Sequence, residues 1–221
     1  MADRPPLWRP VFLLIVFLGL PSLIELVLLA CDYGWLPLRG ARPFAYQYGA
    51  FWAGLLDNWR PNYAAQPWLM FLTYSFLHAG FWHLVGNMLA LVVLIQLVAA
   101  RLNAWNFAVI YLLSAIGGGL GFALLGSEVN PMVGASGALF GMAGAWKWID
   151  WSAERSRGTR FRMILRDTAF LVLLNVVIWV TEDGALAWQA HLGGFLAGLA
   201  AMAALDGIRK GRAPRDPPQK R

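Results

Sequence analysis

The sequence predicts an all-α polytopic membrane protein: a bundle of six transmembrane helices with an interfacial outer loop between the first and the second. Three observations carry that expectation. Of 221 residues, 59% are hydrophobic and 14% charged, against roughly 45–50% and about 25% in an ordinary soluble domain. Apolar windows near the ~20 residues needed to cross a bilayer recur along the chain. The basic residues gather between these windows and at their ends. Disorder is excluded by the apolar content, and a disulfide scaffold by the single cysteine, Cys31. A net charge of +6 spread in this way points to a membrane topology signal, and no nucleic-acid partner is expected.

The first window, about 11–31, follows a basic start at Arg4 and Arg9. It ends in Leu28-Leu29-Ala30-Cys31, which resembles a lipoprotein cleavage box. Its apolar stretch exceeds the ~7–15 residues of a signal peptide, which favours a retained helix that Cys31 merely closes. Glu25 within it either pairs with an arginine of the outer loop or snorkels toward water. The next segment, Asp32 to Phe81, holds 14 of the 31 aromatic residues in less than a quarter of the chain. Amphipathic rings collect at headgroup depth, so this segment is expected to be partly helical and to lie in the outer interface; a small cap with its own core is the alternative.

Five further windows follow at about 82–100, 105–126, 134–150, 168–184 and 186–206, each set off by Pro, Gly, Arg or an acidic pair. The membrane domain is therefore read as 1–206. From Gly207 to Arg221 the chain is basic and Pro-containing, which reads as a disordered cytoplasmic tail near anionic lipid. With both termini in the cytoplasm, 15 of the 18 Lys and Arg residues fall on that side. Arg39, Arg42 and Arg60 fall outside, as do Glu128, Glu182 and Asp183. The bias of basic loops toward the cytoplasm sets this orientation.

Polar groups inside a bilayer cost about 2.5–3.5 kcal/mol each on insertion scales, so they mark candidate sites. His83 and Asn87 stand at i, i+4 near the outer end of the second window, on one helix face. Ser136 begins the fourth window in Gly134-Ala135-Ser136-Gly137, and His191 lies near the outer end of the sixth. All four share one depth. Ala190, Gly194 and Gly198 in the sixth window face Gly137, Gly141, Gly144 and Ala145 in the fourth, and small residues at such spacing let backbones touch. Ser136 and His191 would then meet as nucleophile and general base. His83, Asn87 and the Ser136 N–H would be available to a developing oxyanion. No acidic third member is evident, so the reading is a dyad. Asn175 in the fifth window is either a polar contact or part of a substrate gate.

Leu77-His78, His83 through Asn87, Gly-Ala-Ser136-Gly and Ala190-His191-Leu-Gly-Gly, in that order, resemble the rhomboid family of intramembrane serine proteases. The resemblance implies a six-helix rhomboid fold with Ser136 as nucleophile and His191 as base. It also implies oxyanion roles for His83 and Asn87. His78 would be the family's outer-loop histidine, and Trp59-Arg60 matches a two-residue pair of the first loop. Implied partners are the bilayer and single-span membrane-protein substrates cut near their outer ends. The compact form looks bacterial, which would place the chain in an inner membrane.

Rival chemistries fail on residue types. An H-E-x-x-H zinc motif is absent, as are paired intramembrane aspartates, so no metal or other cofactor is expected. Inverted repeats, which would suggest a transporter, are not evident. A non-catalytic member of the same fold that binds membrane clients is the alternative function. It would not need both the serine and the histidine.

Overall fold

The computed structural model describes residues 15–98, 100–127, 129–181 and 186–212. Eight α-helices follow in order: α1 Leu20–Asp32, α2 Ala41–Gly49, α3 Gln66–Thr73, α4 Phe81–Val98, α5 Ala104–Leu125, α6 Ser136–Ala153, α7 Arg157–Thr181 and α8 Trp188–Arg212. The chain is an all-α polytopic bundle, as expected. Among the described residues the only β pairing is an isolated bridge between Phe51 and Met132. Among the described residues five segments are long and apolar enough to cross a membrane: Ile15–Asp32, Phe81–Val98, Ala104–Leu125, Arg157–Val180 and Trp188–Gly211.

Several boundaries differ from the sequence reading, each for a local reason. The first helix is not regular throughout: a π-helical turn at Ile15–Gly19 precedes α1. Pro21 has no N–H, and its ring crowds the carbonyl four residues back, so the turn there widens. Residues 11–14 of that window lie outside the described residues. α7 starts eleven residues before the expected 168, because the arginines from Arg157 to Arg166 extend the helix instead of forming a loop. Arginine is a good helix former with a stem that lies along apolar surface. α8 likewise continues to Arg212, past the Gly207 at which a tail was expected, and 213–221 lie outside the described residues. Glu128, Glu182 and Asp183 also lie outside them.

The core is built on α5, α6 and α8. A Cβ at Gly194 of α8 would run into the carbonyl oxygen of Gly137, and one at Gly198 into that of Gly141, both on α6. Gly193 of α8 presses in the same way on the Gly117 carbonyl of α5. Only glycine permits backbones this close. Below these contacts, Leu91, Tyr111, Ala138, Met142 and Met202 form the buried centre of one apolar cluster.

The aromatic segment between α1 and α4 divides its residues. Tyr33, Trp35, Phe44 and Trp68 are exposed, as rings at an interface should be. Phe51, Met70 and Tyr74 turn inward and form a second cluster with Phe122 of α5, Met132 and Ala190 of α8. The segment is thus a partly helical cover seated on the end of the bundle where α6 and α8 begin. Glu25, fully buried on α1, takes both terminal nitrogens of Arg42 on α2 at 2.8 and 3.0 Å, and the Arg42 Nε reaches Asp32 at 2.6 Å. Pairing with an outer-loop arginine is therefore the outcome for Glu25.

Candidate active site

Ser136 is the first residue of α6, with Ala135 at the N-cap. The first N–H groups of a helix have no partner within it, so the amides around Ser136 are free to bind a developing negative charge. The loop that delivers Ser136 is held from the outer cover. Phe51 and Met132 exchange N–H···O bonds of 3.0 and 2.9 Å, and the Gly134 N–H donates to the Tyr74 carbonyl at 3.0 Å. Gly134 has φ +123°, and a Cβ there would stand 2.8 Å from Cε1 of His83. Backbone angle and space both require glycine.

His191 lies in the first turn of α8 and is 2% exposed. Its Nε2 is 2.9 Å from Ser136 Oγ. Phe140, one helical turn after Ser136, stacks flat on the imidazole at 4.1 Å between centroids and 6° between planes. The serine and histidine expected to meet do meet, across 55 positions of sequence. The close approach of α6 and α8 at Gly137–Gly194 brings this about.

His83 and Asn87 lie near the start of α4. The Ala79 N–H donates to His83 Nδ1 at 3.2 Å, so in the neutral ring the proton sits on Nε2, which becomes a donor. That nitrogen would be 2.9 Å from a Cβ placed on Gly134, a point itself 3.8 Å from Ser136 Oγ. His83 therefore borders the Ser136 side chain. Asn87 shares the buried face of α4 with Leu84, Leu91 and Leu94. One of its N–H groups donates to the His83 carbonyl at 2.8 Å, leaving the amide's second hydrogen available.

His78 stands behind this group. Its carbonyl accepts from Arg42 Nη1 at 3.0 Å and from the Tyr46 hydroxyl at 2.8 Å, while its ring meets His83 edge-on at 5.3 Å. Burial, together with the neighbouring His83 ring, holds its pKa down to about 3, so the ring is neutral. These contacts make His78 a brace for the loop ahead of α4. Trp59 packs on Trp52 at 5.9 Å and Arg60 is exposed, both in the outer cover.

One contact was not foreseen in its place. Asn175 Oδ1, on α7, lies 2.7 Å from His191 Nδ1. An amide in the middle of an apolar helix signals a polar contact, yet its partner depends on how that helix is rotated. Beside it a cavity of about 580 Å³ separates α7 from α8, lined mostly by apolar side chains, with Asn175 and His191 midway along its walls. Among the described residues, no three His, Cys, Asp or Glu side chains converge to hold a metal ion.

The comparisons with known proteins fit this geometry. The Rhomboid domain family model matches residues 65–206. Rhomboid protein 1, mitochondrial, of Saccharomyces cerevisiae is 36% identical over 136 residues, covering 57% of this chain and 38% of that protein. The putative rhomboid protease YdcA of Bacillus subtilis is 28% identical over 150 residues, covering 66% and 73%. Rhomboid protease GluP of the same organism is 31% identical over 142 residues, covering 64% and 27%. The match takes in well under half the length of the yeast protein and of GluP.

Proposed function

The chain belongs to the rhomboid family, and from that premise we propose that it is an intramembrane serine endopeptidase that cuts single-span membrane proteins near their outer ends. The observation that supports this reading best is the 2.9 Å contact between Ser136 Oγ and His191 Nε2 at the outer ends of two helices in backbone contact. Six spans are proposed: to the five apolar segments is added α6, fourth in chain order, which carries Lys147 and Asp150 in its last turns and is shielded by α4, α5 and α8. Both termini then face the cytoplasm, in a bacterial inner membrane.

In this reading the Ser136 hydroxyl donates its proton to His191 Nε2 as Oγ attacks the substrate carbonyl. The resulting oxyanion is met by the Ser136 N–H, by His83 Nε2–H and by the Asn87 amide; one such donor is typically worth about 2.7–4 kcal/mol. His191 then returns the proton to the leaving amine as the C–N bond breaks, leaving an acyl-enzyme on Ser136. Water, deprotonated by His191, attacks the ester carbon; the bond to Oγ then breaks as Oγ takes that proton back from His191, releasing the acid. The substrate helix enters past α7, where the cavity beside His191 gives unwound chain a place to lie.

The test is cleavage of a single-span reporter in proteoliposomes, with Ser136→Ala as the matched variant. The expected result is cleavage by the parent chain, a loss of at least about 10³-fold in the variant, and fluorophosphonate label on Ser136 of the parent. Unchanged cleavage by Ser136→Ala rejects the nucleophile. Absence of cleavage or label in the parent favours a client-binding role.

A further inference from the structure

Asn175 stands on the least buried of the long helices, where Asp167 is the only buried residue among those described. Its amide is nevertheless held in a definite sense. Nδ2 donates to the Leu171 carbonyl one turn back at 2.8 Å, which turns Oδ1 toward His191 Nδ1 at 2.7 Å. The opposite flip would set Oδ1 against the Leu171 carbonyl, two acceptors face to face. An amide oxygen only accepts, so Nδ1 of His191 must carry the ring proton. Nε2 is left with its lone pair, aimed at the Ser136 hydroxyl 2.9 Å away. Phe140 restrains the plane of the ring, but a flat apolar face cannot choose which nitrogen is protonated. That choice falls to Asn175.

We propose that Asn175 is a positioning residue of the active site: it fixes the tautomer and rotation of His191 that let Nε2 serve as base. This rests on the assignment of Ser136 and His191 made above. The arrangement is a serine–histidine–asparagine relay whose third member sits on a different helix from either partner. It is neutral, so it orients the imidazole without adding the charge that a carboxylate would supply. Because Asn175 is part of α7, the base is oriented only while α7 stands against α8.

The experiment uses the full chain in proteoliposomes, with kcat, KM and the pH profile of kcat measured for the parent, Ser136→Ala, Asn175→Leu and Asn175→Asp. Leucine keeps the size and removes the acceptor; kcat is expected to fall about 10- to 100-fold with KM within about twofold, since the wrong tautomer becomes accessible. Aspartate keeps an acceptor and adds charge. It is expected to recover about tenfold of that loss and to move the acid limb of the profile to higher pH, because a carboxylate favours the imidazolium. His83, the other titratable ring that acts on His191, is unchanged in every variant. If leucine and aspartate give the same kcat and an unmoved acid limb, Asn175 is only a staple between helices and the proposal is overturned. Should Asn175→Leu fail to fold in a melting assay, the acid limb of Asn175→Asp decides alone. A Ser136→Ala variant that still cleaves overturns the underlying assignment instead, whichever way the Asn175 variants behave.

Discussion

The two walls of the site are built on opposite terms. On one side α5, α6 and α8 meet through glycines, backbone against backbone, with Gly137 against Gly194 and Gly141 against Gly198. On the other side α7 leans on the bundle through polar ends. Asp167 takes Trp151 Nε1 at 3.0 Å and Lys147 Nζ at 3.3 Å from α6, and Asn175 reaches His191. The cavity runs along α7 from beside Asp167 past Asn175 to Trp179. The glycine wall has no free volume and so holds Ser136 and His191 at fixed separation. The α7 wall has few buried apolar contacts, which is the physical mark of a segment that opens at low cost. The proposed site thus combines a rigidly held serine–histidine pair with a yielding side.

That contrast can be broken most forcefully at Gly194. Gly194→Val drives a branched side chain into the Gly137 carbonyl, and a loss of at least about 3 kcal/mol is expected, read as a collapse of the melting transition in detergent together with reporter cleavage. The matched change on the other wall is Leu173→Ala, at a position on α7 that is 60% exposed; its stability should stay within about 0.5 kcal/mol. Equal effects at the two positions would dissolve the distinction.

A smaller effect sharpens it. Asp167→Asn weakens the inner tie of α7 to Lys147 and Trp151 and should cost about 1–3 kcal/mol. Hydrogen exchange should report the loss as faster exchange confined to α7. Protection of α5, α6 and α8 should be unchanged. Exchange that rises evenly across all four helices would show that α7 is no separate unit.

An effect that vanishes at neutral pH extends the comparison to the brace behind α4. His78 has its folded pKa lowered to about 3 by burial and by His83, against about 6.5 for an unfolded histidine. The unfolded chain therefore binds the extra proton first as the pH falls. Stability attributable to this group is fully present above about pH 6.5 and is lost progressively toward pH 3. In His78→Leu the fall in melting temperature between these limits should be shallower than in the parent. Identical slopes would remove His78 from the account.

Much of the site was legible along the chain. Ser136 and His191 announce themselves as polar groups at equal depth in two apolar helices, and the four-residue repeat of small residues names the faces that touch. The glycines of α5 that complete this packing, Gly117 and Gly121, carry the same signal but lie in a helix that holds none of the candidate site residues. Asn175 could be seen as costly, not as paired. From Thr168 onward α7 is apolar on nearly every side, so its sequence does not say which face turns inward, and the rotation that aims residue 175 at His191 is settled by contacts with other helices. The outer segment is similar: its ring content indicates an interface, whereas the inward turn of Phe51 and Tyr74 follows from the bridge to Met132 and the bond to Gly134.

The sequence by itself determined the solvent, the order of the long helices and which of them carry polar groups, because hydrophobic length and 3.6-residue periodicity are local properties of the chain. The tertiary structure alone decided who meets whom across the bundle: which nitrogen of His191 faces Ser136, what orients it, and which wall yields. Those are relations between helix faces, and a face acquires a direction only when its neighbours press against it.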